Sequence, residues 1–508
     1  MEGSPQFALL RECSNLENYY FLISAPGSQS SIVVAAKYGN INANKKLSKD
    51  KVIRALSKVI ERQPALGMTV VRQPPKKKGK DMLWYARRST IVVEDYINFV
   101  NVEDKDPGET SRRMILEILS DWFDPTDSSR PLWRITVVNM ETVYFAFNHI
   151  ICDGKSGYFF HREFLSALND DEISLTQPVP TSVSTSEGYW PDMHGESVGK
   201  YYRHNVISFL LGFILQMIIE GIFFPKYMVY KDVKMIEHKP SLKQLAPVEE
   251  RITNSMASVR IDSETMKRII TLCRSNKTSF TAFFDTLLNV CLCADAYPDA
   301  LLTRVSMVAD VRGMCDYKHG EILSNMAGSL TKIRRTAPFA AIGKPPKGKE
   351  VGKETVYTDV VAFWKMASYR KEQMNKYLKN GVIQEGLSLR LAPRYIDDYP
   401  ERVYSTLHTT RSFGSLISNL GVLTPRDEDK DREWQFKAAD WASSTVRSSA
   451  GQALNICIAS VPDADCVINL GWEEGTYGPD VIPNLAKNMQ TRIGQVVGDE
   501  SAGVTVRY

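Results

Sequence analysis

The chain has 508 residues, of which 43% are hydrophobic and 24% charged, with a formal net charge of +4 at pH 7. That length is too great for one ordinary core and predicts two domains, while so small a net charge excludes a dedicated nucleic-acid binder with a concentrated basic face. Eight cysteines without a CxxC pair form neither a disulfide framework nor a zinc knuckle, and scattered thiols together with an N-terminus that lacks a signal-like apolar run lead to the expectation of a cytoplasmic protein.

In chain order, residues 31–38 (SIVVAAKY) read as a strand rich in β-branched residues. Ser48 offers an N-cap, and Val52, Ile53, Leu56, Val59 and Ile60 recur at helical spacing until Gln63-Pro64 stops the helix. Leu66 to Val71 returns to strand character, and the basic run Pro74 to Lys80 reads as a solvated hairpin tip. Leu132 to Val138 alternates like a half-buried strand, Asn139 to Glu141 supplies a turn, and Val143 to Phe147 alternates again. Phe160, Phe164 and Leu168 then mark one face of a helix beginning near Lys155, so Asn148 to Gly154 occupies a strand-to-helix connection. Loops held by rigid elements are where catalytic groups tend to be placed.

Residues 170–200 are rich in Ser, Thr, Pro, Asp and Glu and read as a linker or crossover. Residues 206–225 (VISFLLGFILQMIIEGIFFP) are the most apolar stretch, flanked by Tyr201, Tyr202 and Arg203 and by Lys226 and Tyr227. Length and flanks approach those of a spanning helix. A single span would put the two halves of the chain on opposite sides of a bilayer, so a buried helix or lid is favoured, with peripheral attachment to a membrane or lipid droplet as the other reading. Beyond residue 250, Phe280 to Leu292 reads as a buried helix, and Leu302 to Val311 and Leu416 to Leu420 as strands. Leu454 to Val461 and Cys466 to Trp472 form a hairpin, and a helix carrying Leu485, Met489, Ile493 and Val496 closes the chain. Mixed order in both halves predicts two layered α/β domains, 1–180 and 251–508, joined by a crossover at 181–250.

The chemistry sits in His149-x-x-x-Asp153-Gly154. Moving an acyl group from a thioester to a hydroxyl needs a base for the attacking proton and a donor for the oxyanion, and a neutral imidazole suits the first task. No acyl-enzyme is required if both substrates meet at one base, and the chain has no GxSxG elbow. Gly154 allows a sharp turn into the helix, and Asp153 is placed to fold back onto a distant cation and fix the loop. Cys152 lies inside the loop and could be proposed as a nucleophile, but free buried cysteine is common and packing is the favoured explanation.

The longer string at residues 148–168, NHIICDGKSGYFFHREFLSAL, resembles the HxxxDG acyltransferases, a superfamily that includes chloramphenicol acetyltransferase, the plant acyltransferases and peptide-synthetase condensation domains. Within it, Asn-His-x-x-x-Asp-Gly-x-Ser-Gly at 148–157, the opening Leu9 to Tyr19 and the Ala55 to Pro64 helix look most like the fungal alcohol acetyltransferase family. The resemblance implies two chloramphenicol-acetyltransferase-like α/β sandwich domains with the active-site channel between them. His149 would be the base, reached by CoA from one side and by the alcohol from the other, and Asp153 would pair with an arginine across the boundary, for which Arg312 stands in the matching position. Asn325 resembles the polar turn that follows that arginine. Ser418 and Asn419 resemble the strand opposite the base, as contacts for the oxyanion or the CoA arm, or equally a plain strand-end turn. Asn148 stands where many members have a second histidine, and no Asp-Phe-Gly-Trp-Gly of the plant branch is present, which leaves the CoA contacts open.

Together these readings predict an O-acetyltransferase acting on an alcohol, with acetyl-CoA as co-substrate, no tightly bound cofactor and no metal. It would be a monomer and would acylate an apolar small molecule or secondary metabolite. N-acetylation at the same site and a retired scaffold that only binds remain as alternatives. Gly343 to Glu350 nearly spells a P-loop, but its last residue is Glu and two prolines remove amides, so an exposed basic loop is expected.

Overall fold

The β-branched and aromatic runs form strands close to where the pattern puts them. The first third of the chain supplies β1 (Ile32–Asn40), β2 (Ile97–Val100), β3 (Trp133–Val138) and β4 (Thr142–Phe147). The later part supplies β5 (Asn254–Ile261), β6 (Leu302–Asp310), β7 (Ala327–Arg335), β8 (Ser412–Val422), β9 (Trp434–Ser443), β10 (Gln452–Ser460), β11 (Cys466–Glu473) and β12 (Val504–Arg507). The computed structural model describes residues 7–42, 45–73, 82–170, 178–190, 226–234, 245–314, 318–345, 356–380, 412–448, 451–499 and 501–508, with positions 211, 214, 218 and 222.

Two mixed sheets organise the molecule, a five-stranded one in the order β9-β1-β4-β3-β2 and a seven-stranded one in the order β7-β6-β8-β10-β11-β5-β12. Each carries its own hydrophobic core. The architecture is a mixed α/β pair of layered halves. Strand β9 is the exception to a division by sequence: it leaves the later half and pairs antiparallel with β1 from Trp434↔Asn40 to Ser443↔Ile32. Its Trp441 indole donates back to the carbonyl of Ile458 in β10 at 2.9 Å, so one strand straps the two sheets together.

Six helices matter for the site: α1 (Asn15–Ser24), α2 (Lys49–Arg62), α3 (Pro107–Ser120), α4 (Gly154–Leu168), α5 (Phe280–Val290) and α6 (Val481–Val497). Ser48 caps α2 as expected, its hydroxyl accepting from Lys51 N at 3.2 Å. Helix α4 lies on one face of the first sheet, where Phe160 stacks on Phe145 at 4.0 Å between centroids. Asn139 and Met140 turn between β3 and β4 with positive φ of 53° and 56°. Strand β4 departs from its alternating pattern, since all of Val143 to Phe147 is buried. The reason is a cover on both faces, α4 on one and α3 with the second half on the other, where Ser111 donates to Asp440 at 2.7 Å and Arg260 pairs with the same carboxylate at 2.8 Å.

Helix α6 does not close the chain. Strand β12 follows it and pairs with β5, and this edge strand is too short to show a period. The basic run 74–80, most of 170–200 and 206–225, and residues 346–350 of the P-loop look-alike lie outside the described residues. Of the apolar stretch, Leu211, Ile214, Ile218 and Ile222 are helical and between 51% and 63% exposed, so this face is not the buried helix expected.

Close approach of α4 to β1 fixes the start of the helix. A Cβ added at Gly157 would fall 2.3 Å from Val34 Cγ2 and 2.7 Å from Val34 Cβ, which only a shift of the helix relieves. Gly157→Ala is expected to lower unfolding free energy by about 1–3 kcal/mol through overpacking, read from urea denaturation midpoints. A wild-type midpoint would show that this packing is not tight.

Candidate active site

The connection between β4 and α4 is built by its own short side chains. Asn148 Oδ1 accepts from Ile150 N at 3.0 Å and the Asn148 carbonyl accepts from Ile151 N at 3.1 Å, which bends the chain immediately after the strand. The Asn148 amide donates to Ser24 Oγ at 3.2 Å and to the Ser30 carbonyl at 3.5 Å, and the residue is buried. These bonds make Asn148 a turn-forming residue engaged within the protein. Ile150 and Cys152 are sealed in the core, with the Tyr85 hydroxyl donating to the Ile150 carbonyl at 2.8 Å. Burial pushes the Cys152 thiol well above its ordinary value, which removes it as a nucleophile.

Asp153 does three jobs. It caps α4, its Oδ1 accepting from Ser156 N at 2.9 Å and Ser156 Oγ at 3.0 Å. Its Oδ2 accepts from Arg312 Nη1 at 3.0 Å and from Met326 N at 2.7 Å, both in the later part of the chain. Arg312 in turn donates to the Ser324 carbonyl at 2.8 Å and to Ser324 Oγ at 3.0 Å, and a second carboxylate, Asp310, lies 3.1 Å away. The pair is buried on both sides, with side chains only 7% and 3% exposed. Burial pushes the Asp153 carboxyl up, but the Arg312 charge and the two backbone N–H groups outweigh it and hold the carboxyl below its ordinary range. Gly154, next in the chain, leaves room for Leu420 Cδ2, which lies 3.1 Å from where a Cβ would be.

His149 itself is half-buried between two buried neighbours. Asn325 Nδ2 donates to the His149 carbonyl at 2.8 Å and lies 3.3 Å from His149 Nδ1. Tyr20 of α1 stacks on the imidazole, with centroids 3.9 Å apart and planes 17° from parallel. Desolvation lowers the ring pKa to about 4, and the charge of Asp153 and the carbonyls of His149 and Cys152 pull it up less strongly. The imidazole is therefore neutral at physiological pH. Among the described residues no carboxylate bonds to it, and both oxygens of Asp153 are used on the helix and on Arg312.

His149, Asp153, Gly154, Arg312 and Asn325 are thus brought into one cluster. The end of β8 runs beside it, with the Tyr158 hydroxyl of α4 donating to the Gly421 carbonyl at 3.0 Å. Strand alternation puts Ser418 on the face of Leu420, which meets Gly154. Among the described residues the Ser418 hydroxyl has no partner. Asn419 donates to Thr281 Oγ1 at 3.1 Å and accepts from Gly421 N at 2.9 Å, the geometry of a strand-end turn. Tyr20, Ser156 and Ser324 were not anticipated as site residues. Ser156 is legible in retrospect, as the partner three residues after an Asp N-cap, but nothing local to Tyr20 or Ser324 points to His149.

The profile of a family described as alcohol acetyltransferase matches residues 12–313, more than half of the chain. No curated protein matches the chain. Among solved structures, the TRI3 trichothecene 15-O-acetyltransferase from Fusarium sporotrichioides is similar at a TM-score of 0.64 and 11% identity, covering 97% of this chain and 96% of its own. The first condensation domain of the calcium-dependent antibiotic synthetase, in complex with a substrate analogue, is similar at 0.61 and 14%, covering 98% and 100%. Polyketide synthase associated protein 5 from Mycobacterium tuberculosis is similar at 0.56 and 11%, covering 96% and 99%. At these identities the likeness establishes a common two-domain fold.

The His149 ring is expected to titrate with a midpoint near 4, well below the ordinary 6.5, when its carbon-bound protons are followed by NMR against pH. The sign follows from desolvation of the charged form: the folded state holds the ring neutral, so this group's contribution to stability is complete above 6.5 and is lost as pH falls toward 4. A midpoint at 6.5 would contradict a desolvated ring.

Proposed function

Because the chain belongs to the alcohol acetyltransferase family, we propose that it transfers an acetyl group from acetyl-CoA to an alcohol hydroxyl, with His149 as general base and no covalent acyl-enzyme. The observation that carries this reading is a neutral, partly exposed imidazole on a loop locked from both halves of the molecule, with the adjacent cysteine sealed away. His149 Nε2 takes the hydroxyl proton as the alcohol oxygen attacks the thioester carbonyl carbon, whose π electrons move to oxygen. The tetrahedral oxyanion then collapses, the carbonyl re-forms and the carbon–sulfur bond breaks. The departing thiolate takes the proton back from the imidazolium, giving ester, free CoA thiol and neutral His149.

The Ser418 hydroxyl is the proposed oxyanion donor, supported by its free hydroxyl and its face of β8. Asn325 Oδ1 is buried without a hydrogen-bond partner among the described residues, which suits it to receive a donor group of either substrate. An apolar secondary metabolite is the proposed acceptor class, and the fold is one that also carries trichothecene 15-O-acetylation in Fusarium sporotrichioides. An amine acceptor uses the same base. His149→Ala is expected to lower transfer to an alcohol panel by on the order of a hundredfold or more, measured as release of free thiol from acetyl-CoA. Full activity in that variant would overturn the mechanism, and faster turnover of an amine panel would reassign the acceptor.

Location follows the same reading: a cytoplasmic monomer that touches a membrane or lipid droplet from one side. Among the described residues no single helix is long and apolar enough to cross a membrane. Leu211, Ile214, Ile218 and Ile222 recur at helical spacing with their side chains exposed, which supports a helix lying in an interface. Ser substitution of all four is expected to abolish co-sedimentation with phospholipid vesicles while leaving transfer to a soluble alcohol unchanged. Equal co-sedimentation would remove this surface from consideration.

A further inference from the structure

The base has an aromatic partner that the reaction scheme does not yet use. Helix α1 is fixed at its start by a capping box, in which Ser14 N donates to Glu17 Oε2 at 2.6 Å and Glu17 N to Ser14 Oγ at 3.4 Å. Arg11 clamps Glu17 through both oxygens at 2.8 and 2.9 Å. One turn apart on this helix, Ser24 holds the Asn148 amide at 3.2 Å and Tyr20 covers the His149 ring at 3.9 Å. Tyr19, beside Tyr20 in an edge-on arrangement, is tied to Ser448 Oγ at 3.4 Å, which holds the helix in register. The Tyr20 hydroxyl has no hydrogen-bond partner among the described residues.

A buried imidazole that must take a proton needs something to stabilise the cation it becomes. A carboxylate on the second ring nitrogen is the usual solution, and here Asp153 is spent elsewhere. The carbonyls of His149 and Cys152 favour the charged ring only weakly, and the Asn325 amide 3.3 Å from Nδ1 is neutral. What faces the ring instead is the negative π surface of Tyr20 at 17° from parallel. A cation over an aromatic face within ~6 Å is attracted to it, more so where water is excluded.

We propose that Tyr20 is a positioning residue for transfer, whose ring face fixes the orientation of His149 and stabilises the imidazolium as it forms. The inference rests on the reading of His149 as the base. It assigns the effect to the ring face and not to the hydroxyl, and it acts on the transition state, where the charge develops, more than on substrate binding.

The test keeps the full chain and varies only the ring. Tyr20→Phe is expected to retain kcat within about twofold. Tyr20→Leu is expected to lower kcat by about 2- to 30-fold, the range of a cation–π contact, with KM for acetyl-CoA and for the alcohol within about twofold. Replacing Tyr20 by mono-, di- and trifluorinated phenylalanine keeps the outline of the ring and drains its face, and log kcat is expected to fall stepwise with fluorine number. A flat fluorine series, or a Phe variant as impaired as the Leu variant, would overturn the proposal, and the series decides even if the Leu variant fails to fold. A flat series alongside an inactive His149→Ala variant would leave the base assignment standing, whereas an active His149→Ala variant would remove both.

Discussion

One buried ion pair holds the site in shape. Asp153 and Arg312 come from different halves of the chain, and their contact at 3.0 Å fastens the loop carrying His149 to the segment carrying Asn325. Taking both charges out of water is costly, and a buried pair earns its place only if its remaining donors and acceptors are met. Here the carboxylate receives two backbone N–H groups and a hydroxyl besides the guanidinium, and the guanidinium reaches Ser324. Such a pair specifies register as much as it stabilises. If it is broken, His149 loses its angle to everything contributed by the later half.

Two histidines on neighbouring elements sit in different environments. His161 in α4 is fully buried, with the Tyr38 hydroxyl 2.7 Å from Nδ1 and the Val34 carbonyl 3.0 Å from Nε2, so both ring nitrogens are occupied. His149 has the same lowered pKa of about 4 but is not fully buried. Desolvation alone therefore does not mark a catalytic group. What distinguishes His149 is that the residue is not fully buried and that its ring stacks on Tyr20.

The halves are joined well away from His149 too. Strand β9 crosses into the first sheet, Arg112 of α3 donates to the Met256 carbonyl of β5 at 3.1 Å, and Arg426 bridges Glu163 and Glu321 at 2.6 and 3.0 Å. These ties join the two cores at several points besides the ion pair.

Much of this was readable along the chain. The strands around residues 132–147, the capped helix from Ser48, the strand-to-helix position of the motif and the pairing of Asp153 with Arg312 were all expected from pattern or resemblance, and the coordinates agree. Periodicity reports which face of an element is buried and chain chemistry reports where an element begins, because both are local properties. Neither says what the buried face meets. The cover over both sides of β4, the passage of β9 into the other sheet, the final strand β12 and the stacking of Tyr20 on His149 come from contacts between residues far apart in sequence. The sequence by itself determined the motif, its loop and the elements that hold it; only tertiary closure decided its neighbours, since a ring stack or a strand exchange leaves no mark on the local pattern of either partner.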